Sequence, residues 1–127
     1  MEETNRHKSR SGLVRIWRAF FYSIDGLRSA YHHEQAFKQE LLLAAILIPI
    51  AAFLPVPLVH KALLISTVLV VLIVELLNSA VEATVDRISL DDHVFSKRAK
   101  DIGSAAVFVS LVNLLVVWAL VLWSRFG

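Results

Sequence analysis

Glu75-Leu76-Leu77-Asn78-Ser79-Ala80-Val81-Glu82-Ala83-Thr84-Val85-Asp86-Arg87 follows directly on the apolar run from Ala62 to Val74, with no turn residue between them. At about 100° per residue, Glu75, Asn78, Ser79, Glu82 and Asp86 share one face of a helix. The opposite face carries Leu76, Leu77, Ala80, Val81 and Val85. The uncharged stretch Ala62 to Val74 is too short to cross a bilayer, which needs about 20 apolar residues. A span over residues 58–87 must therefore take Glu75 to membrane depth. Ionisable groups there are costly, and they point into a bundle interior or a watery site. A helix simply surfacing into a solvated last turn would explain Asp86 and Arg87, but not Glu75.

Composition agrees with a membrane protein. The chain has 127 residues, 57% of them apolar, and its mean hydropathy is +0.63, above that of an ordinary soluble domain. With no cysteine, disulfides, thiol catalysis and cysteine metal sites are excluded. The polar start, Met1-Glu2-Glu3-Thr4-Asn5-Arg6-His7-Lys8, lacks the apolar core of a cleavable signal. The net charge of +2 hides an uneven distribution, so it is no argument for a nucleic-acid partner.

Outward from the central stretch, the chain reads as an all-α membrane protein with an amphipathic surface helix and three transmembrane helices. Residues 1–12 are expected to form a basic, frayed tail. Over residues 13–33, Leu13, Ile16, Trp17, Phe20, Ile24, Leu27 and Tyr31 make an apolar stripe, with Arg15, Arg18, Tyr22 and Asp25 opposite. A basic, aromatic-rich helix of this kind suits the membrane interface, and Gly26 is expected to loosen it. The first span is placed at 35–56, kinked at Pro49 and ended by Pro55-Val56-Pro57. Glu34, Lys38 and Glu40 stand at its mouth. His60-Lys61 is expected to form a short turn, with the second span at 58–87.

A polar connector from Ile88 to Asp101 and a third span at 98–123 complete the layout. Gly103-Ser104-Ala105-Ala106 is small enough for close helix contact. Asn113 is expected to hydrogen-bond between helices, and Trp118 and Trp123 to lie in the far interfacial belt. His32 and His33 are adjacent and face different ways, a poor metal pair.

Lys and Arg set the orientation. Arg6, Lys8, Arg10, Arg15, Arg18, Arg28 and Lys38 precede the first span, and Arg87, Lys97, Arg98 and Lys100 lie in the second connector. The first connector has Lys61 and the C-terminus Arg125. The positive-inside rule puts the N-terminus and the second connector in the cytoplasm. The carboxylates then gather at the cytoplasmic interface.

Carboxylate and amide oxygens suit Mg²⁺, which takes one or two protein ligands and leaves the rest to phosphates and water. Burial disfavours a charged carboxylate, and a desolvated glutamate can act as a general base. With Lys and Arg nearby, phosphoryl transfer to a lipid hydroxyl would use all these parts. The sequence has no GxxxxGK[ST], no GxGxxG and no HExxH, so the usual nucleotide and zinc signatures are absent.

Glu75-Leu-Leu-Asn-Ser-Ala-Val-Glu-Ala-Thr-Val-Asp-Arg-Ile closely resembles the signature of the small bacterial integral membrane diacylglycerol kinases. Arg98-Ala-Lys-Asp-Ile-Gly-Ser-Ala-Ala-Val, Leu27-Arg-Ser-Ala-Tyr and Glu34-Gln-Ala-Phe-Lys-Gln-Glu match as well. The resemblance runs from Leu13 to Gly127. It implies homotrimers in the bacterial inner membrane, with active sites shared between subunits, that use ATP and Mg²⁺ to convert diacylglycerol to phosphatidic acid. By motif position it makes Glu75 the base, and Glu34 and Glu82 the metal-binding carboxylates, which also reach the nucleotide. Asn78, Lys100 and Asp101 would contact nucleotide, helped by Arg15, Tyr22, Asp91, Asp92 and His93. Arg15, Gln39, Glu40, Glu75, Ser104 and Trp118 would line the lipid side. Ser89 stands where the family usually has glycine, and Lys97 where a small residue is common.

Two alternatives remain. Undecaprenol kinase is a sister branch with the same core motif, although the Ala99–Ala106 run and the Glu34 segment resemble the diacylglycerol branch more. A non-enzymatic oligomer with an ion pathway lined by Glu75 and Glu82 is allowed by intramembrane carboxylates. Against it, the polar groups cluster at one interface and the third span carries no charge from Ile102 to Trp123.

Overall fold

The computed structural model describes the backbone of residues 2–88 and 93–127, with side chains from Ser11 to Ile88 and from His93 onward. These residues form four helices: α1 Glu2–His33, α2 Gln35–Phe53, α3 Leu58–Ile88 and α4 Val94–Phe126. No strand occurs among the described residues. Helices α2, α3 and α4 are each long and apolar enough to cross a membrane. At about 1.5 Å per residue, α3 is roughly 46 Å long, more than the ~30 Å hydrocarbon core, and Glu75 lies about 26 Å along it from Leu58.

The chain divides into two compact units, residues 1–34 and 35–127. The first unit is α1. Its helix begins at Glu2 rather than at residue 13 and passes through Gly26 without a break, since no proline or turn pair interrupts it. Leu13, Ile16, Trp17, Phe20, Leu27 and Tyr31 are exposed, the face a membrane interface would cover. Trp17 meets Phe21 edge-on at 5.2 Å.

In the second unit α3 is central and packs on both α2 and α4. Ala44 and Ala51 of α2, Leu64, Val68 and Val71 of α3, and Leu114, Trp118 and Val121 of α4 form its core. The buried α3 residues recur every three or four positions, as one helix face requires. Pro49 stays inside α2, which ends at Phe53 rather than at residue 56. Leu54 and Val56 each precede a proline and are pushed out of helical geometry.

The turn is therefore Leu54–Pro57, and His60 and Lys61 belong to α3. Lys61 instead reaches back, its Nζ donating to the Ala52 carbonyl at 2.7 Å. Arg125 Nε, at the end of α4, donates to the Pro55 carbonyl at 2.8 Å. Both cations of this end satisfy carbonyls left open where α2 stops. The tie from Arg125 also fixes the end of α4 beside the α2–α3 turn, so α4 runs antiparallel to α3.

Two further expectations need correction. The polar connector does not extend to Asp101, because α4 is helical from Val94. His93 is its N-cap, its Nδ1 accepting from the Phe95 backbone N–H at 3.1 Å, so a local cap starts the helix well before the apolar run. Trp118 is buried, and its Nε1 donates to Thr67 Oγ1 at 3.1 Å. It does not belong to the interfacial belt, because the indole N–H finds its partner inside. Trp123 is exposed, as the belt requires, whereas Asn113 is exposed rather than turned toward another helix of the chain.

Candidate active site

Helix α3 is packed with its polar face inward. Leu64, Thr67, Val68 and Val71 are buried, and the same stripe continues without a step through Glu75, Asn78 and Ser79. Glu75 is only 4% exposed and Asn78 8%. On the other face Leu77 and Val81 are exposed. This arrangement is the one a bilayer favours, with apolar groups on its own hydrocarbon and carboxylates shielded between helices.

Along the stripe, Asn78 Nδ2 donates to Glu82 Oε1 at 3.4 Å, one turn further along. Glu82 is half-buried and Asp86 exposed, so the row opens from a buried glutamate to a solvated aspartate. At that open end Lys100 Nζ, from α4, pairs with Asp86 Oδ1 at 2.6 Å. Lys97 pairs with Asp101 Oδ2 at 2.7 Å, one turn apart on α4. Glu40, on α2, is close enough to Glu75 for their charges to interact. The second unit thus gathers Glu40, Glu75, Asn78, Glu82 and Lys100, while Asp101 pairs within α4.

Gln39 and Ser104 are exposed. His93 caps α4, and Phe95 stacks on its ring at 5.5 Å. Arg15, Tyr22 and Glu34 belong to the first unit, where Arg15 and Tyr22 line a shallow hollow with Ser11, Val14, Arg18 and Ala19. Asp91 and Asp92 lie outside the described residues.

Two contacts of this region had no counterpart in the sequence-based expectations. One is the pairing of Asp86 with Lys100, which charge pattern alone does not identify among several candidates. The other is Gly103, whose missing side chain faces Asn78. The small-residue run at 103–106 signalled a close contact, but not its partner.

The donor set is one that Mg²⁺ accepts. Glu82 offers a half-buried carboxylate, and Ser79 Oγ, three residues before it, is buried without a hydrogen-bond partner among the described residues. No group of three or more acidic or histidine side chains forms a closed metal cage among the described residues. Mg²⁺ usually takes one or two protein ligands and the rest from phosphates and water.

Comparison with known proteins gives the same region an identity. The family model for prokaryotic diacylglycerol kinase matches residues 21–122. The chain is 52% identical over 115 residues to a diacylglycerol kinase of Pseudomonas aeruginosa, covering 91% of this chain and 94% of that protein. It is 47% identical over 117 residues to one of Escherichia coli K12, covering 92% and 96%. A Helicobacter pylori diacylglycerol kinase is 37% identical over 107 residues, 84% of each chain. The inward polar row of α3 and the first turns of α4 both lie inside the matched segments, and the chain belongs to the prokaryotic diacylglycerol kinase family.

Proposed function

We propose that this protein transfers the γ-phosphate of ATP to the free hydroxyl of diacylglycerol, giving phosphatidic acid and ADP. The observation that carries the reading is Glu75: a carboxyl 4% exposed, in an otherwise apolar helix, one turn from Asn78 and two from Glu82. The relatives' names supply the acceptor and the family supplies the reaction class.

In this mechanism Glu75 takes the proton from the lipid hydroxyl as its oxygen attacks the γ-phosphorus. Enclosure between helices keeps water from competing as acceptor. Glu82 and Glu34 would hold Mg²⁺, which when bound neutralises charge on the β- and γ-phosphates. Asn78 steadies Glu82 through its amide. Lys100 would meet the nucleotide at the solvated end of the row, and the resemblance adds Asp101, Arg15, Tyr22, Asp91, Asp92 and His93 to the nucleotide-binding residues. Arg15, Gln39, Glu40, Glu75, Ser104 and Trp118 would serve the lipid side.

The setting follows from the same features. The chain sits in the bacterial inner membrane with its N-terminus and the α3–α4 connector in the cytoplasm. It works as a homotrimer with shared sites. Three spanning helices enclose little volume, and the exposed Asn113 within α4 needs a partner that lipid cannot supply. Undecaprenol kinase is the alternative for the acceptor. Equal concentrations of diacylglycerol and undecaprenol, offered in mixed micelles with ATP and Mg²⁺, decide between them. Turnover of diacylglycerol is expected; turnover confined to undecaprenol would assign the chain to the sister activity.

A further inference from the structure

We propose that Gly103 is a positioning residue of this site, whose lack of a side chain leaves the room in which the Asn78 carboxamide lies turned toward Glu82. The inference rests on the kinase reading for what the site does, and on geometry alone for what Gly103 touches.

A Cβ built on Gly103 would overlap Asn78 Oδ1 and lie 3.3 Å from its Cγ and 3.9 Å from its Cβ. Its three nearest neighbours all belong to that one side chain, and none is backbone of α3. Gly12 and Gly26, also inside helices, would meet nothing within 4 Å. The glycine at 103 is not required by local conformation either, because its φ is not positive and glycine weakens a helix relative to alanine. What it provides is space for one carboxamide.

That carboxamide is buried, and its Oδ1 has no hydrogen-bond partner among the described residues. It faces the Cα–H of Gly103, a weak donor of the kind seen between closely packed backbones. The amide's other end reaches Glu82 at 3.4 Å, near the outer limit of a hydrogen bond. A modest swing of Asn78 would break that bond. Alanine at 103 forces such a swing, because the short amide can yield more cheaply than two packed helices can separate. The consequence falls on the Asn78–Glu82 alignment, with a modest loss of stability and the fold kept.

The test is a double-mutant cycle with Gly103→Ala, Asn78→Ala and the pair together, purified at matched oligomer size. Gly103→Ala alone should keep the lipid KM within about twofold and lose about tenfold or more in kcat, the signature of a misplaced group. Its thermal midpoint in detergent should fall in the wild-type background. In the Asn78→Ala background the same change should lower neither midpoint nor residual rate, because the truncated side chain leaves the methyl room. An equal fall of the midpoint in both backgrounds would overturn the proposal, placing the contact on helix backbone. A kcat unchanged by Gly103→Ala, beside an impaired Asn78→Ala, would overturn it as well. The thermal cycle needs no activity, so a wild type that transfers no phosphate would sink the kinase reading and leave the Gly103 contact to be judged by midpoints alone.

Discussion

Lys100 Nζ and Asp86 Oδ1 meet at 2.6 Å and join the C-terminal end of α3 to the first turns of α4, just beyond the polar row. Both side chains are about half exposed, 44% and 53%, so as a stabilising contact the pair is worth no more than ~1 kcal/mol. Its value lies in where it holds the lysine. Asp86→Asn should leave the thermal midpoint nearly unchanged and alter the KM for ATP by a few-fold. Lys100→Met should raise that KM by about tenfold or more, as loss of a charge-assisted contact does. Steady-state kinetics against ATP, beside thermal scans in detergent, check both.

The two glutamates of α3 should fail differently. In the proposed mechanism Glu82→Gln weakens a cation site, so activity lost at low Mg²⁺ should return in part as Mg²⁺ is raised. Glu75→Gln removes the base, and added Mg²⁺ should restore nothing. Titrating Mg²⁺ with each variant separates the roles, and identical responses would mean that they are wrongly divided.

Deep in the bundle, Trp118 Nε1 donates to Thr67 Oγ1 at 3.1 Å, and Thr67 Oγ1 donates to the Leu64 carbonyl at 2.7 Å. Thr67→Val strands the indole N–H where lipid and packed side chains offer no replacement. A coupling of about 0.6–1.7 kcal/mol is expected for such a bond within a membrane protein. Thr67→Val and Trp118→Phe in a stability cycle should reveal it. Phosphate transfer per folded Thr67→Val molecule should hardly change, since Thr67 is not among the residues proposed for the site.

The polar-in arrangement of α3 makes a further contrast measurable. Leu77 is 63% exposed and Val71 2%. Leu77→Ala should be nearly neutral in the membrane, because lipid fills the space. Val71→Ala leaves a cavity in the core and should cost on the order of 2 kcal/mol. A reversed order, read from thermal midpoints in detergent, would mean that α3 packs on its apolar face instead.

Much of this organisation was legible in the sequence because membrane depth restricts it severely. Glu75 follows thirteen uncharged residues from Ala62 to Val74, and in lipid such a group must turn inward. The stripe from Leu64 to Glu82 then follows from helical periodicity. Helix ends were less legible. His93 starts α4 through a ring nitrogen, a cap outside the usual Ser, Thr, Asp and Asn. Lys61 looked like a turn residue because it is charged, yet it lies within α3 and its side chain reaches back to the Ala52 carbonyl of α2. Trp118 illustrates a third limit. Composition places tryptophan at interfaces, and only the register of α3 against α4 shows that Thr67 is within reach of its N–H.

The most direct measurement is transfer of labelled phosphate from ATP to diacylglycerol in mixed micelles with Mg²⁺, wild type beside Glu75→Gln at equal oligomer size. Robust labelling of phosphatidic acid by wild type, with a loss of at least about a thousandfold in the variant, is the predicted result for removal of a base at the reacting hydroxyl. Labelling by a well-assembled Glu75→Gln protein at near wild-type rate would contradict the assignment of Glu75. No labelling by well-assembled wild type, with either diacylglycerol or undecaprenol, would contradict the enzyme itself.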